Sequence, residues 1–201
     1  MKARDWRRYL EDQRRDHDKL IFTVTELANA ADISRQALNV ELGRLRKYGL
    51  IERYARGLYG PPGGVSPETL LPELDAHAYI TGSYALFLHH IVAQVPVRIT
   101  CFTDRRHGKA RVRETPAGTF CFVCVGAPVY TPPSEEIIAC PEQALCDYIY
   151  VCRRGGTDPL AQASFRNLKR LRSSRLRDLL ARYPRTVAAD IQSRLLTLTN
   201  I

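Results

Sequence analysis

Long apolar runs are missing from this chain, and so are complete metal-ligand sets. No stretch approaches the roughly 20 apolar residues of a membrane helix, and the opening MKARDWRRYLEDQRRDHDKL is too polar for an export signal. Six cysteines without such a signal are expected to be reduced thiols in a cytoplasmic protein. Cys121-Phe-Val-Cys124 has no second CxxC or spaced His pair to complete four ligands. If it lies on a strand, the two thiols point to opposite faces. Cys101, Cys140, Cys146 and Cys152 read as small buried hydrophobes. His17, His77, His107 and the doublet His89-His90 read as structural or surface residues, so no metal and no cofactor is expected.

Acids are scarce at the C-terminal end. Residues 151–201 hold 11 Lys/Arg against 3 Asp/Glu, residues 1–60 hold 13 against 9, and residues 61–150 hold 6 against 9. The total of +9 is thus two basic ends around a mildly acidic middle, a distribution that suits phosphate partners. With 201 residues and 45% hydrophobic content, the chain can build one ordinary domain plus a small one. No internal repeat or low-complexity tract stands out.

The most informative segment is FTVTELANAADISRQALNVELGRLRKYGLIERYARGLYG, residues 22–60. Thr25 is expected to cap a short helix, Glu26 to Ala31. Asp32 and Ile33 make a turn, and Ser34 caps a second helix to about Tyr48, because hydroxyl and carboxylate oxygens accept from open helix-start amides. Gly49 offers the left-handed stop. Leu50–Tyr54 and Leu58–Gly60 read as strands around the turn Ala55-Arg56-Gly57. Ile21–Val24 is a candidate third strand, and a first helix over residues 3–18 turns Trp6, Tyr9, Leu10 and Gln13 inward. This is the order of a winged helix-turn-helix. Pro61, Pro62, Gly63, Gly64, Pro67 and Pro72 mark a linker, giving domains of 1–61 and 62–201.

The second domain mixes strands and helices. Strands are expected at Ala78–Ile80, Val97–Thr103, Arg111–Thr115, Thr119–Val125 and Glu135–Ala139. Helices are expected at Ser83–Ile91, Pro141–Cys152, and about 159–172, 175–182 and 185–198, the last with Val187, Ile191, Leu195 and Leu198 on one stripe. The fold class is therefore α+β, a winged helix-turn-helix followed by a mixed α/β domain with a basic, helical C-terminus.

On the second helix of the motif, Leu38, Leu42 and Leu45 share an inward face, leaving Arg35, Gln36, Asn39 and Arg46 to face out. Arg can read guanine, and Gln or Asn adenine, through paired major-groove hydrogen bonds. Ser34, Arg44 and Lys47, with Arg53 and Arg56 on the wing, suit phosphate, as does Thr25 at the motif's start. The run Arg166, Lys169, Arg170, Arg172, Arg175 and Arg177 makes a possible second basic face for DNA or an acidic protein. Gly82-Ser83, between a strand and a helix, has the outline of a nucleotidyltransferase turn. Downstream, however, Asp104-Arg105-Arg106 offers one carboxylate where two-metal transfer requires a pair. A capped helix start is the simpler reading.

Several segments resemble the AbiEi antitoxins of type IV toxin–antitoxin systems. Arg53-Tyr54-Ala55-Arg56-Gly57-Leu58-Tyr59 is similar to the wing of that family. AYITGSYALFLHHIV (Ala78–Val92) resembles its strand-into-helix start, and IACPEQALCDYIYV (Ile138–Val151) its Pro-Glu-x-Ala-Leu helix. Thr81, His90 and Gln143 depart from the family pattern, which favours Ser, Gly and a basic residue there. The resemblance implies a non-enzymatic autorepressor bound to inverted repeats of its own promoter. It also implies a second domain that counters a nucleotidyltransferase-like toxin without a stable complex. Two other readings remain, a regulator with a ligand-sensing C-terminal domain and no toxin partner, and a nucleotidyltransferase-like enzyme.

Overall fold

Helix α1 (Ala3–His17) begins where the Lys2 amide donates to Asp5 Oδ2 at 3.0 Å, and it turns Trp6 fully inward. Strand β1 (Phe22–Thr23) leads into α2 (Val24–Ala31), and α3 (Arg35–Lys47) follows a short turn. Strands β2 (Glu52–Ala55) and β3 (Leu58–Gly60) close an antiparallel sheet of order β1-β3-β2. Trp6, Phe22, Leu27, Leu38, Leu42, Leu45 and Ile51 fill the core beneath it. The structure, a computed structural model, describes residues 1–134 and 136–195.

The expected linker is only partly one. Ser66 Oγ accepts the Thr69 amide at 3.2 Å and Pro67 takes the first turn, where a missing N–H does no harm, so Pro67–Leu74 forms helix α4. Burial of Leu70 and Leu71 holds it, and the helix ends two residues beyond Pro72. The chain divides into two compact units, one of Met1–Ala76 with Glu114–Gly118, the other of His77–Arg113 and the chain from Thr119 onward.

After α4 the chain forms β4 (Tyr79–Thr81), α5 (Gly82–Leu88), β5 (Arg98–Thr103), β6 (Val112–Thr115) and β7 (Gly118–Cys124), all but Glu114, Thr115 and Gly118 in the second unit. These strands form a sheet of order β4-β5-β7-β6, with β4 antiparallel and β7 parallel to β5. Across the long helix α6 (Pro141–Arg154) pack α8 (Ser173–Leu180) and α9 (Arg185–Asp190), with the short α7 (Pro159–Gln162) before them. Arg153 clamps the buried Asp190 through two guanidinium hydrogen bonds. The α+β class is thus as expected.

Three expected elements differ. The strand at Glu135–Ala139 reduces to a single parallel bridge from Ile138 to Ile80, with Glu135 outside the described residues. The helix at 159–172 stops at Gln162, because Phe165 is drawn into an antiparallel bridge with Val92 and an edge contact with the Tyr148 ring at 5.7 Å. Asn167 then turns left-handed ahead of a tight turn at Leu168–Arg170. The last helix becomes a π turn at Ile191–Leu195; Leu198 and the Leu195 side chain lie outside what is described. Cys101, Cys146 and Cys152 are buried as expected, whereas Cys140 is only half-buried.

Candidate nucleic-acid interface

The start of α2 is built by Thr23, not by Thr25. Thr23 Oγ1 accepts the Glu26 amide at 3.2 Å, and Glu26 Oε2 accepts the Thr23 amide at 2.8 Å, a reciprocal cap. Pairing of Thr23 with Leu58, and a bond from the Val24 amide to the Gly57 carbonyl at 3.1 Å, stop the strand there. Thr25 is the exposed second residue of the helix. At the other end Asp32 is left-handed, φ 51°, and returns its amide to Ala28 and Asn29. Ser34 then caps α3 as expected, its Oγ accepting the Ala37 amide at 3.2 Å. Gly49, at φ 64°, ends the motif's second helix, sending its amide to the Arg46 carbonyl while Leu50 reaches Leu45.

Leu38, Leu42 and Leu45 are buried, which sets the rotation of α3. At 3.6 residues per turn, Gln36, Val40, Gly43 and Lys47 then lie opposite the core, with Asn39 beside them. Arg35 and Arg46 lie on the Asn39 side of that strip, towards the leucine face, and the exposed Arg44 reaches the half-buried Glu41 at only 3.6 Å. Arg35, Gln36, Asn39, Arg46 and Lys47 are exposed, and no side chain among them bonds to any described residue. Their donors are therefore open to a partner. Arg53 and Arg56 are exposed on the wing, where Arg53 Nε is held by the Ala55 carbonyl at 3.2 Å. A bulge between Arg53 and Ala55 turns Tyr54 inward, its hydroxyl donating to the Pro61 carbonyl at 2.7 Å.

Val40 was not among the expected readers. It is 60% exposed at the centre of the outward strip, and its methyls suit a thymine methyl. Gly43 beside it would meet nothing within 4 Å if it carried a Cβ, so the fold itself does not require glycine there. Counting helical phase from the buried leucines would have found both.

The remaining candidate residues fall in the second unit. Arg166, Lys169, Arg170, Arg172, Arg175 and Arg177 are all exposed, but on a bridge, a tight turn and α8 rather than on one long helix. Gly82 is left-handed, φ 62°, and no side chain caps α5, because the Thr81 hydroxyl donates to Asp147 at 2.6 Å instead. Asp104 meets His77 Nδ1 at 3.0 Å, and Arg105 meets the other ring nitrogen at 2.6 Å. Cys124 Sγ points to the Asp104 carbonyl at 3.7 Å. His90, where the AbiEi pattern favours glycine, has φ 60°, the left-handed conformation that glycine adopts without strain.

A capped helix-turn-helix, a three-stranded wing and an open, basic second helix define the class, a winged helix-turn-helix of the kind found in DNA-binding regulators. The family model described as "Transcriptional regulator, AbiEi antitoxin" matches residues 16–62, which hold both helices and the wing. Residues 16–62 are thus similar to the N-terminal part of AbiEi antitoxin regulators, in agreement with the resemblance drawn from the sequence. No curated protein matches the chain. Among the described residues, no helix is long and apolar enough to cross a membrane.

Proposed function

We propose that this protein is a non-enzymatic autorepressor and antitoxin of a type IV system. Its winged helix binds inverted repeats in its own promoter, and its second unit counters a nucleotidyltransferase-like toxin without a stable complex. The observation that carries the DNA half is the outward strip of α3, where amide and guanidinium donors have no partner among the described residues. Buried polar groups at an interface must find partners, and base edges supply matching ones. Arg35, Gln36, Asn39 and Arg46 are assigned to bases; Thr25, Ser34, Arg44, Lys47, Arg53 and Arg56 to phosphates. The antitoxin half rests on the family match at residues 16–62 and on the two second-unit resemblances.

Gel-shift titrations on the native promoter at two salt concentrations test the assignment. Arg35→Ala and Asn39→Ala should each weaken binding by about 1–3 kcal/mol, with the loss concentrated at particular base pairs. Arg56→Ala should weaken it alike on all sequences and lower the salt slope by about 0.9. Unchanged affinity in all three variants would remove α3 as the reading helix.

A further inference from the structure

We propose that the second unit holds a binding site for a doubly charged phosphate group, in a cavity between the start of α6 and the segment from Arg170 to Arg175. All residues of the site belong to the second unit, and it does not depend on the DNA-binding reading. The cavity measures about 240 Å³ and is lined by His89, Ile91, Pro141, Glu142, Arg170, Arg172 and Arg175. That is smaller than the roughly 300–1,000 Å³ of sites for drug-sized ligands, so it suits a phosphate and the first atoms attached to it.

Its walls are held in place by the chain itself. Glu142 is buried in the first turn of α6 and its Oε1 accepts the Arg172 amide at 2.7 Å, which fastens the arginine-bearing segment over the helix start. The His89 ring donates from Nε2 to the Ala139 carbonyl at 2.8 Å. Other arginines of the unit are engaged: Arg153 with Asp190, Arg154 with the Cys124 carbonyl at 3.1 Å, Arg182 with Thr131 Oγ1 at 2.9 Å. The guanidiniums of Arg170, Arg172 and Arg175 make no hydrogen bond or ion pair with any described residue.

Three like charges gathered at one cavity repel each other, and no ion pair among the described residues balances them. Setting Glu142 against them leaves a charge of +2 on the lining, His89 aside, which a phosphate dianion neutralises. The positive end of the 14-residue α6 adds to the same field. Planar guanidiniums suit phosphate oxygens in paired hydrogen bonds. A duplex backbone phosphate carries one charge and lies on a convex surface, so a terminal phosphate is the better match. It can come from a free nucleotide or from a 5′-phosphorylated nucleic-acid end.

Calorimetric and NMR titration of the full chain with inorganic phosphate tests the site. Saturable binding is expected, weakened at least about tenfold in Arg170→Ala and in Arg175→Ala, as for the loss of one charge-assisted bond. The exposed Lys109→Ala, which removes a charge elsewhere in the unit, should bind like the parent. Tighter binding of a nucleoside 5′-monophosphate than of phosphate would support the site and identify a free nucleotide. A 5′-phosphorylated oligonucleotide that outbinds its 5′-hydroxyl twin would support it and identify a strand end. Absence of saturable phosphate binding, or equal losses in all three variants, would overturn it.

Discussion

Asp147 shows how far a single residue can depend on distant chain. It lies fully buried on α6 and accepts hydroxyl bonds from Tyr79 at 3.3 Å, Thr81 at 2.6 Å and Tyr183 at 2.6 Å. Burial pushes its carboxyl up to about 7, and the hydroxyls of Thr81, Tyr183 and Tyr79 pull down less strongly than desolvation pushes up. The folded protein therefore holds this proton more tightly than the unfolded chain does. The stabilisation is complete below the unfolded pKa near 4 and is lost as pH rises to about 7. We predict that the unfolding free energy of the second unit, from urea titrations followed by circular dichroism, falls between about pH 5 and about pH 8 by an amount on the order of a few kcal/mol, with a matching fall in the urea midpoint. Asp147→Asn should flatten that slope. A pH-independent midpoint in the parent would show that Asp147 stays charged. Sequence could not foretell this, since its partners stand 68, 66 and 36 residues away.

Elements were readable where their ends are local. Ser34 and Gly49 bracket the second helix of the motif through bonds to residues three to five places away, and both were expected from residue type alone. The start of α2 was displaced because either threonine could cap, and strand pairing with β3 selected Thr23. Glu26 reinforces that choice: burial alone would raise its carboxyl, but bonds to Lys19 and to the Thr23 amide and hydroxyl hold it below its ordinary value. Thr23→Ala should lower the stability of the first unit by about 1 kcal/mol, and Thr25→Ala by less than about 0.5 kcal/mol. Fluorescence of Trp6, the chain's single tryptophan and buried in that core, would follow the transition. Equal losses from both would place the cap wrongly. Segment 159–172 shows the opposite case, a helical pattern cut at Gln162 because Phe165 gains more from Val92 and Tyr148 than from another turn.

At the scale of the whole molecule, the family match ends at residue 62, while the greater part of the chain lies in the second unit. If repression belongs to α3 and antitoxicity to the second unit, the two should separate. We expect the double variant Arg35→Ala/Asn39→Ala to release a promoter reporter yet still protect cells co-expressing the neighbouring toxin. Loss of protection together with repression would show that the activities share one surface. What the sequence by itself determined is the winged helix: its stops, the Ser34 cap and its leucine phase act over a few residues, so residue identity suffices to place the helices and the outward face of α3. The tertiary structure alone decided the strand register that moved a cap, the helix over Pro67–Leu74, and the enclosure of Asp147. It also gathered Arg170, Arg172 and Arg175 around the start of α6. Each of these depends on contacts between segments far apart in the chain, where packing and burial outweigh local preference.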